Sequence, residues 1–252
     1  MRTYGAIIIG DEIMRGKRQD KHLAKLIEIL KVRGLHLSWV QYLGDERPRL
    51  IDTLRRTLAS GDVVFSCGGI GVTPDDHTRQ AAAAAAGVPL ELNPDAEREI
   101  RARMAEMGQP VTPARLELGT VPQGSCIIPN PFNRIPGFSF QDHHFLPGFP
   151  QMAWPMAEWV LDHYYADDFR QNAEIEAAIL VWDGLEGVML DLMRKTEADF
   201  PCITVFSLPS FGNETVRRHV ELGVRGTPEA VTEAIDVLKI GVTALGYQFE
   251  VK

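Results

Sequence analysis

The stretch from Asp62 to Thr78, DVVFSCGGIGVTPDDHT, constrains this chain more than any other. Val63, Val64 and Phe65 make an apolar, β-branched and aromatic run that reads as a buried strand, and Gly68, Gly69 and Gly71 end it. The sequence then predicts a helix from Pro74 to Ala86, with Thr73 as N-cap, Pro74 in the first helical position and Asp76 three residues past the cap. A strand, a glycine turn and a helix start together offer backbone N–H groups and a partial positive charge to an anion. Glycine lets the backbone turn tightly and come close to a ligand. The plainer alternative stays open: Thr73 and Asp76 also satisfy a simple capping box. Neither the dinucleotide GxGxxG spacing nor a P-loop is present.

Strand and helix patterns alternate around this stretch. Ala6 to Ile9, His36 to Leu43 and Asp62 to Cys67 read as strands, and Lys21 to Val32 and Arg47 to Ala59 as helices. Ala81 to Ala86 gives the following helix a thin face suited to close packing. The fold class expected is α/β, a mostly parallel sheet with helices on both faces. In that architecture ligands bind beyond the carboxyl ends of the strands, so Gly10-Asp11-Glu12, Gly44-Asp45 and the GGIG loop should share one edge.

Val111 to Phe149 reads as loops and short strands. Within it, Asp142-His143-His144 invites a metal reading. Neighbouring residues on a strand point to opposite faces, so a solvated or half-packed histidine pair is expected instead. Trp154, Met156, Trp159, Val160 and Tyr164 mark the apolar side of a closing helix. The polar run from Asp167 to Asn172 is the expected boundary, which gives domains at 1–166 and 172–252. The second follows a βαββαβ order, that of a small α+β ferredoxin-like domain, with SLPSFGNE (Ser207 to Glu214) as a hairpin loop.

Formal net charge is −8, from 26 Lys and Arg against 34 Asp and Glu, with no block of like charge. Nucleic acid and anionic membranes are therefore poor partners. No signal-peptide core or long apolar span occurs, and Cys67, Cys126 and Cys202 share no metal-ligand spacing. A reduced cytoplasmic setting is expected, with Cys67 packed rather than reactive.

GGIGVTPDDHT resembles the GGxGPTxDDxT signature of the molybdopterin-binding (MoaB/MogA-like) domain, in the form found at the N-terminus of CinA-type proteins. IIIGDEIMRGKRQDKH (Ile7 to His22), LGDERPRL (Leu43 to Leu50) and PNPFNRIPGFSFQDHHFLPGFPQM (Pro129 to Met152) resemble its other motifs, in the same order. The chain departs from the pattern at Val72, where Pro is usual, at Lys21-His22, where Thr-Asn is usual, and at Gln151, where Glu is usual. Because 172–252 is taken up by the small domain, the nicotinamide-mononucleotide deamidase domain of full-length CinA is not expected.

Asp11, Glu12, Asp20, Asp45, Asp75 and Asp76 are expected at the strand edge, with Gly10, Asp11, Glu12, Asp20, Gly68, Gly69, Gly71 and Thr73 as ligand- or phosphate-binding residues. Six acids beside an anion site would repel a phosphate unless a divalent cation intervenes, so Mg²⁺, Mn²⁺ or Co²⁺ on Asp45, Asp75 and Asp76 is expected. Such an ion also makes attack of water on a phosphoanhydride feasible. The resemblance implies catalytic roles for Asp45 and Asp76. It also implies a metal-dependent pyrophosphatase acting on ADP-ribose-like or dinucleotide substrates such as FAD, and a homo-oligomer. Two alternatives stand beside it: adenylylation of molybdopterin in molybdenum cofactor biosynthesis, and a protein that binds such a ligand without turnover.

Overall fold

The apolar run Tyr4–Ile9 forms strand β1, buried along its whole length because strands flank it on both sides and helices cover both faces. The computed structural model describes residues 2–170, 174–213 and 215–252. They divide into two compact units, Met1–Phe169 and Arg170–Lys252. Asn172, where the second domain was expected to begin, and Glu214, the last residue of SLPSFGNE, lie outside the described residues.

In the first unit β1 is followed by α1 (Asp11–Met14), α2 (His22–Val32), β2 (Leu37–Leu43), α3 (Arg47–Leu58), β3 (Val63–Cys67) and α4 (Thr78–Ala86). Then come β4 (Leu90–Leu92), α5 (Pro94–Glu106), α6 (Pro113–Glu117), β5 (Thr120–Pro122), β6 (Cys126–Ile128), β7 (Gly137–Phe140), β8 (His143–Leu146) and α7 (Pro150–Tyr164). Among the described residues six strands form the main sheet, in the order β2-β1-β3-β8-β7-β6. The first three pairings are parallel and the last two antiparallel. One face packs Leu26 and Leu30 of α2 and Met156 and Val160 of α7 against Ala6, Val63 and Phe65. The other packs Leu50 and Leu54 of α3 and Ala81 and Ala82 of α4 against Ile7, Ile9 and Val64. The structure is thus the α/β fold expected, and the alanine face of α4 is buried as its thinness suggested.

Three expectations need correction. Helix α4 starts at Thr78, not Pro74, so Thr73 is not its N-cap. The Asp76 carboxylate instead takes the Thr73 N–H at 2.8 Å and its hydroxyl at 2.5 Å, which holds 73–76 as a separate turn. The Thr78 N–H then bonds the Gly69 carbonyl at 3.0 Å. His143 and His144 point to opposite faces but neither is solvated, because helices cover both faces of this sheet. The buried stripe of α7 runs through Ala153, Met156, Ala157, Val160 and Leu161. It leaves Tyr164 exposed and Trp154 and Trp159 only partly covered.

The second unit contains β9 (Ile175–Trp182), α8 (Glu186–Asp199), β10 (Ile203–Ser210), β11 (His219–Gly226), α9 (Pro228–Ala244) and β12 (Phe249–Val251). Its antiparallel sheet has the order β10-β11-β9-β12. That is the arrangement of a ferredoxin-like βαββαβ domain. Its core, including Ile179, Leu222, Val231 and Leu238, comes from this unit alone. No helix among the described residues is long and apolar enough to cross a membrane. Since each unit owns a core, we propose that they fold separately. Limited proteolysis should cut first in the stretch from Ala166 to Asn172; a first cut inside α3 would overturn this.

Candidate functional site

Four parallel strands deliver their C-terminal loops to one edge of the sheet, as the alternating pattern implied. The Gly10 N–H bonds the Leu43 carbonyl at the end of β2, and the Gly68 N–H bonds the Leu146 carbonyl at the end of β8, both at 3.0 Å. Gly68 and Gly69 adopt φ of +112° and +67°. A side chain on Gly68 would run into the Ile9 carbonyl oxygen, and one on Gly69 into the Thr78 hydroxyl. Gly71 has no such φ, but a side chain there would meet the Asp76 carboxylate. The glycines therefore let the loop fold back against β1 and the start of α4.

This loop forms one wall of a cavity of about 460 Å³. Ile70, Val72, Leu118, Ile135, Phe149 and Met152 supply apolar walls, and Thr73, Asp76, Asn130 and Asn133 the polar side chains. Among the described residues, no internal acceptor takes the N–H groups of Ile70, Gly71 or Val72. Three consecutive free amides beside a cavity can receive an anion.

Arg79, absent from the sequence-based candidates, shapes the loop. It is only 2% exposed. Its guanidinium bonds the Gly71 carbonyl at 2.5 Å, the Thr120 carbonyl at 3.2 Å and the Glu117 carbonyl. One buried cation thus ties the glycine loop to the α6–β5 connection and occupies the loop carbonyl that would oppose an anion. With the helix expected from Pro74, Arg79 falls in the second turn; only the observed start at Thr78 puts this cation in the first turn, where it opposes the macrodipole and needs compensating acceptors. Asn130 and Asn133 build the opposite rim, bonding the Ile135 carbonyl at 2.9 Å and the Ile135 N–H at 2.9 Å respectively.

The six acids share the edge but do not converge on one point. Asp11 and Asp45 hold each other's loops, Asp45 Oδ2 accepting the Asp11 N–H at 2.8 Å and Asp11 Oδ1 the Asp45 N–H at 3.3 Å. Arg15 pairs with Asp11 at 2.6 Å. Asp20 is committed to structure: it accepts the N–H groups of His22 and Leu23 and the Tyr42 hydroxyl, at 2.8, 3.1 and 2.7 Å. Asp75 is exposed, and its hydrogen bond with Thr73 holds its carboxyl below the usual range. Burial raises the Asp45 carboxyl, with Asp11, Glu12 and Asp75 adding repulsion and the Asp11 N–H opposing it. Among the described residues no three His, Cys, Asp or Glu side chains are grouped to hold a metal ion. Asp45 takes the Asp11 N–H, Asp75 and Asp76 bond Thr73, and the three carboxylates are thus each held by a neighbouring loop group. Cys67 is buried, which pushes its thiol up to about 12, so it packs rather than reacts.

Comparison with known proteins matches residues 5–166 to the family described as "Probable molybdopterin binding domain". A "CinA-like protein" of Anaeromyxobacter sp. (strain Fw109-5) is 34% identical over 157 residues, 60% of this chain and 38% of that protein. A protein of Pyrobaculum arsenaticum is 33% identical over 149 residues, 58% of this chain and 56% of its own length. Each match thus spans less than two thirds of the relative. The crystal structure of the protein CinA "with unknown function" from Thermoplasma acidophilum aligns with a TM-score of 0.56 at 25% identity, covering 64% of this chain and 96% of that one.

Proposed function

The chain belongs to the molybdopterin-binding domain family, in its CinA-like form, and from that premise we propose that its 460 Å³ cavity binds a small phosphorylated heterocycle, a pterin or a nucleotide. One observation carries this reading: an apolar-walled cavity meets the three free amides of Ile70, Gly71 and Val72. Flat ring systems favour apolar walls with a few polar groups at the edge, and the amides suit the phosphate. Asn130 and Asn133, whose amides bond Ile135, hold the opposite rim in shape, and Arg79 positions the loop without touching the ligand.

A second reading is a metal-dependent pyrophosphatase acting on ADP-ribose-like or dinucleotide substrates. The crowding of Asp11, Glu12 and Asp75 around Asp45 favours it, since such a field is relieved by a cation. Among the described residues no three His, Cys, Asp or Glu side chains are grouped to hold an ion by themselves, so in this reading the cation is shared with the ligand's phosphates. No step is therefore assigned to a bound metal. Adenylylation of molybdopterin has no observation of its own in its favour.

The test is binding and product analysis with ADP-ribose, FAD, ATP and molybdopterin, each with and without Mg²⁺, Mn²⁺ or Co²⁺. Saturable binding without product supports the first reading, metal-dependent release of a nucleoside monophosphate the second, and no binding overturns both. Asp76→Asn separates them further. The variant keeps an acceptor for Thr73, so stability should fall by no more than about 0.5–2 kcal/mol, the range for a lost cap. Turnover should fall by orders of magnitude if Asp76 is catalytic, and remain unchanged per folded molecule if Asp76 only shapes the turn.

A further inference from the structure

The β7–β8 hairpin carries a chain of hydrogen bonds at the end of β8 away from the glycine loop, which meets that strand at Leu146. Ser139 of β7 and His144 of β8 are cross-strand partners, so their side chains share one face. Ser139 Oγ lies 2.8 Å from His144 Nδ1, His144 Nε2 lies 2.8 Å from the Tyr165 hydroxyl, and that hydroxyl donates to Asp142 Oδ1 at 2.8 Å. The last bond fixes the direction of the others. Because the Tyr165 proton goes to Asp142, the Tyr165 oxygen accepts from His144 Nε2–H. Nδ1 is then the lone-pair nitrogen of a neutral ring, and it takes the Ser139 hydroxyl proton. A hydroxyl bonded to an imidazole lone pair, with the other ring nitrogen held by an oriented oxygen, is the arrangement that activates a nucleophile.

This chain opens onto a cavity. Ser139, His144, Tyr165 and Asp142 all line a space of about 240 Å³, with Arg2 and Cys126 on its walls. Arg2 and the Asp142 carboxylate bring one positive and one negative charge, so the cavity suits an uncharged ligand. Cavities for drug-sized ligands run to about 300–1,000 Å³, so this one fits a smaller molecule. It shares no lining residue with the 460 Å³ cavity.

We propose that this cavity is a separate hydrolytic site for short, uncharged carboxylic esters, with Ser139 as nucleophile and His144 as base. Ser139 Oγ attacks the ester carbonyl carbon and its proton passes to His144 Nδ1. The bond from that carbon to the alcohol oxygen then breaks, and the alcohol leaves with the proton. Water attacks the acyl-Ser139 carbonyl and gives a proton to Nδ1. The Ser139 oxygen leaves with that proton, which restores the hydroxyl and releases the carboxylic acid. Arg2 supplies the positive charge that the oxyanion needs. Tyr165 and Asp142 are positioning residues that hold the ring in the required tautomer. Burial pushes His144 down to about 3, so the ring is unprotonated at neutral pH and a weak base, which makes turnover slow.

The experiment uses the full chain and p-nitrophenyl acetate, read as release of nitrophenolate. Ser139→Ala and His144→Gln should each lower turnover per folded molecule by roughly a hundredfold. His143→Gln removes a likewise buried imidazole that bonds Thr57 instead, so it should lose stability yet keep full turnover. Cys126→Ser should also keep turnover, which excludes the exposed thiol as nucleophile. The wild-type chain supplies a readout that needs no variant to fold: diisopropyl fluorophosphate should attach once, at Ser139, with loss of fluoride, as located by peptide mass spectrometry. Tyr165→Phe should slow that labelling per folded molecule, because the ring is no longer held by Asp142 through the hydroxyl. No turnover by wild type, equal turnover in Ser139→Ala, loss of turnover in Cys126→Ser, the same loss in His143→Gln as in His144→Gln, or a label elsewhere than Ser139 would each overturn the proposal.

Discussion

Replacing Gly68 with valine should remove most of the stability of the first unit. A β-branched residue at φ +112° is strained by about 1–3 kcal/mol, and its Cβ would overlap the Ile9 carbonyl, a backbone atom of the central strand β1. That oxygen has no free direction to move, so an overpacking cost of about 1–3 kcal/mol or more comes on top. The sum is a large share of the about 5–15 kcal/mol that holds a domain together. Gly69→Val, at φ +67°, meets only the Thr78 hydroxyl and should cost less, while displacing the loop and its ligand. Gly71→Val meets the movable Asp76 carboxylate without backbone strain, so it should lower ligand affinity with little change in melting. Urea midpoints of the three variants should fall in the order Gly68, Gly69, Gly71, the first most affected. A Gly68→Val protein that melts with wild type would mean that the loop does not follow this path.

This gradation also marks how far the sequence can be read. Strands β1 and β3 were legible because central strands are continuously apolar, and glycine marked where β3 turned. The shared edge followed from alternation alone. The fate of each carboxylate did not, since spacing places Asp11, Asp20, Asp45 and Asp76 near one another without saying which backbone N–H lies nearer than a shared ion. Thr73 and Pro74 carried good helix-start chemistry, yet Arg79 holds the Gly71 carbonyl and Asp76 holds Thr73, so the helix begins four residues later. Local preference yielded to a tertiary tie. The histidine pair shows the same limit: alternation assigned His143 and His144 to opposite faces correctly, but only the packed helices decide that both faces are dry.

Those histidines should make the first unit strongly acid-sensitive. His143 Nε2 bonds the Thr57 hydroxyl at 2.8 Å; His144 bonds Ser139 and Tyr165, each at 2.8 Å, and Tyr165 donates onward to Asp142. Burial pushes His143 down to about 4, against the pull of Asp142 and Asp62, and His144 down to about 3, with His143 adding repulsion. Burial also lowers His22. The folded state therefore keeps these rings neutral while the unfolded chain protonates them below about 6.5. The unfolded state binds more protons, so stability falls as pH drops through 6.5, until His143 titrates near 4 and His144 near 3. Each ring contributes up to about 1.4 kcal/mol per pH unit in that window. The raised Asp45 carboxyl works in the opposite sense, and the lowered Asp75 and Asp162 act only below the usual carboxylate range. Urea unfolding between pH 7.5 and 4.5 should show a steep loss of stability in wild type. His143→Gln should be less stable at neutral pH but lose one ring's share of the slope. A wild-type stability that stays flat from pH 6.5 to 4.5 would mean that these imidazoles are solvated, and that the sheet face beneath α7 is not the dry layer that buries Ser139 and Tyr165.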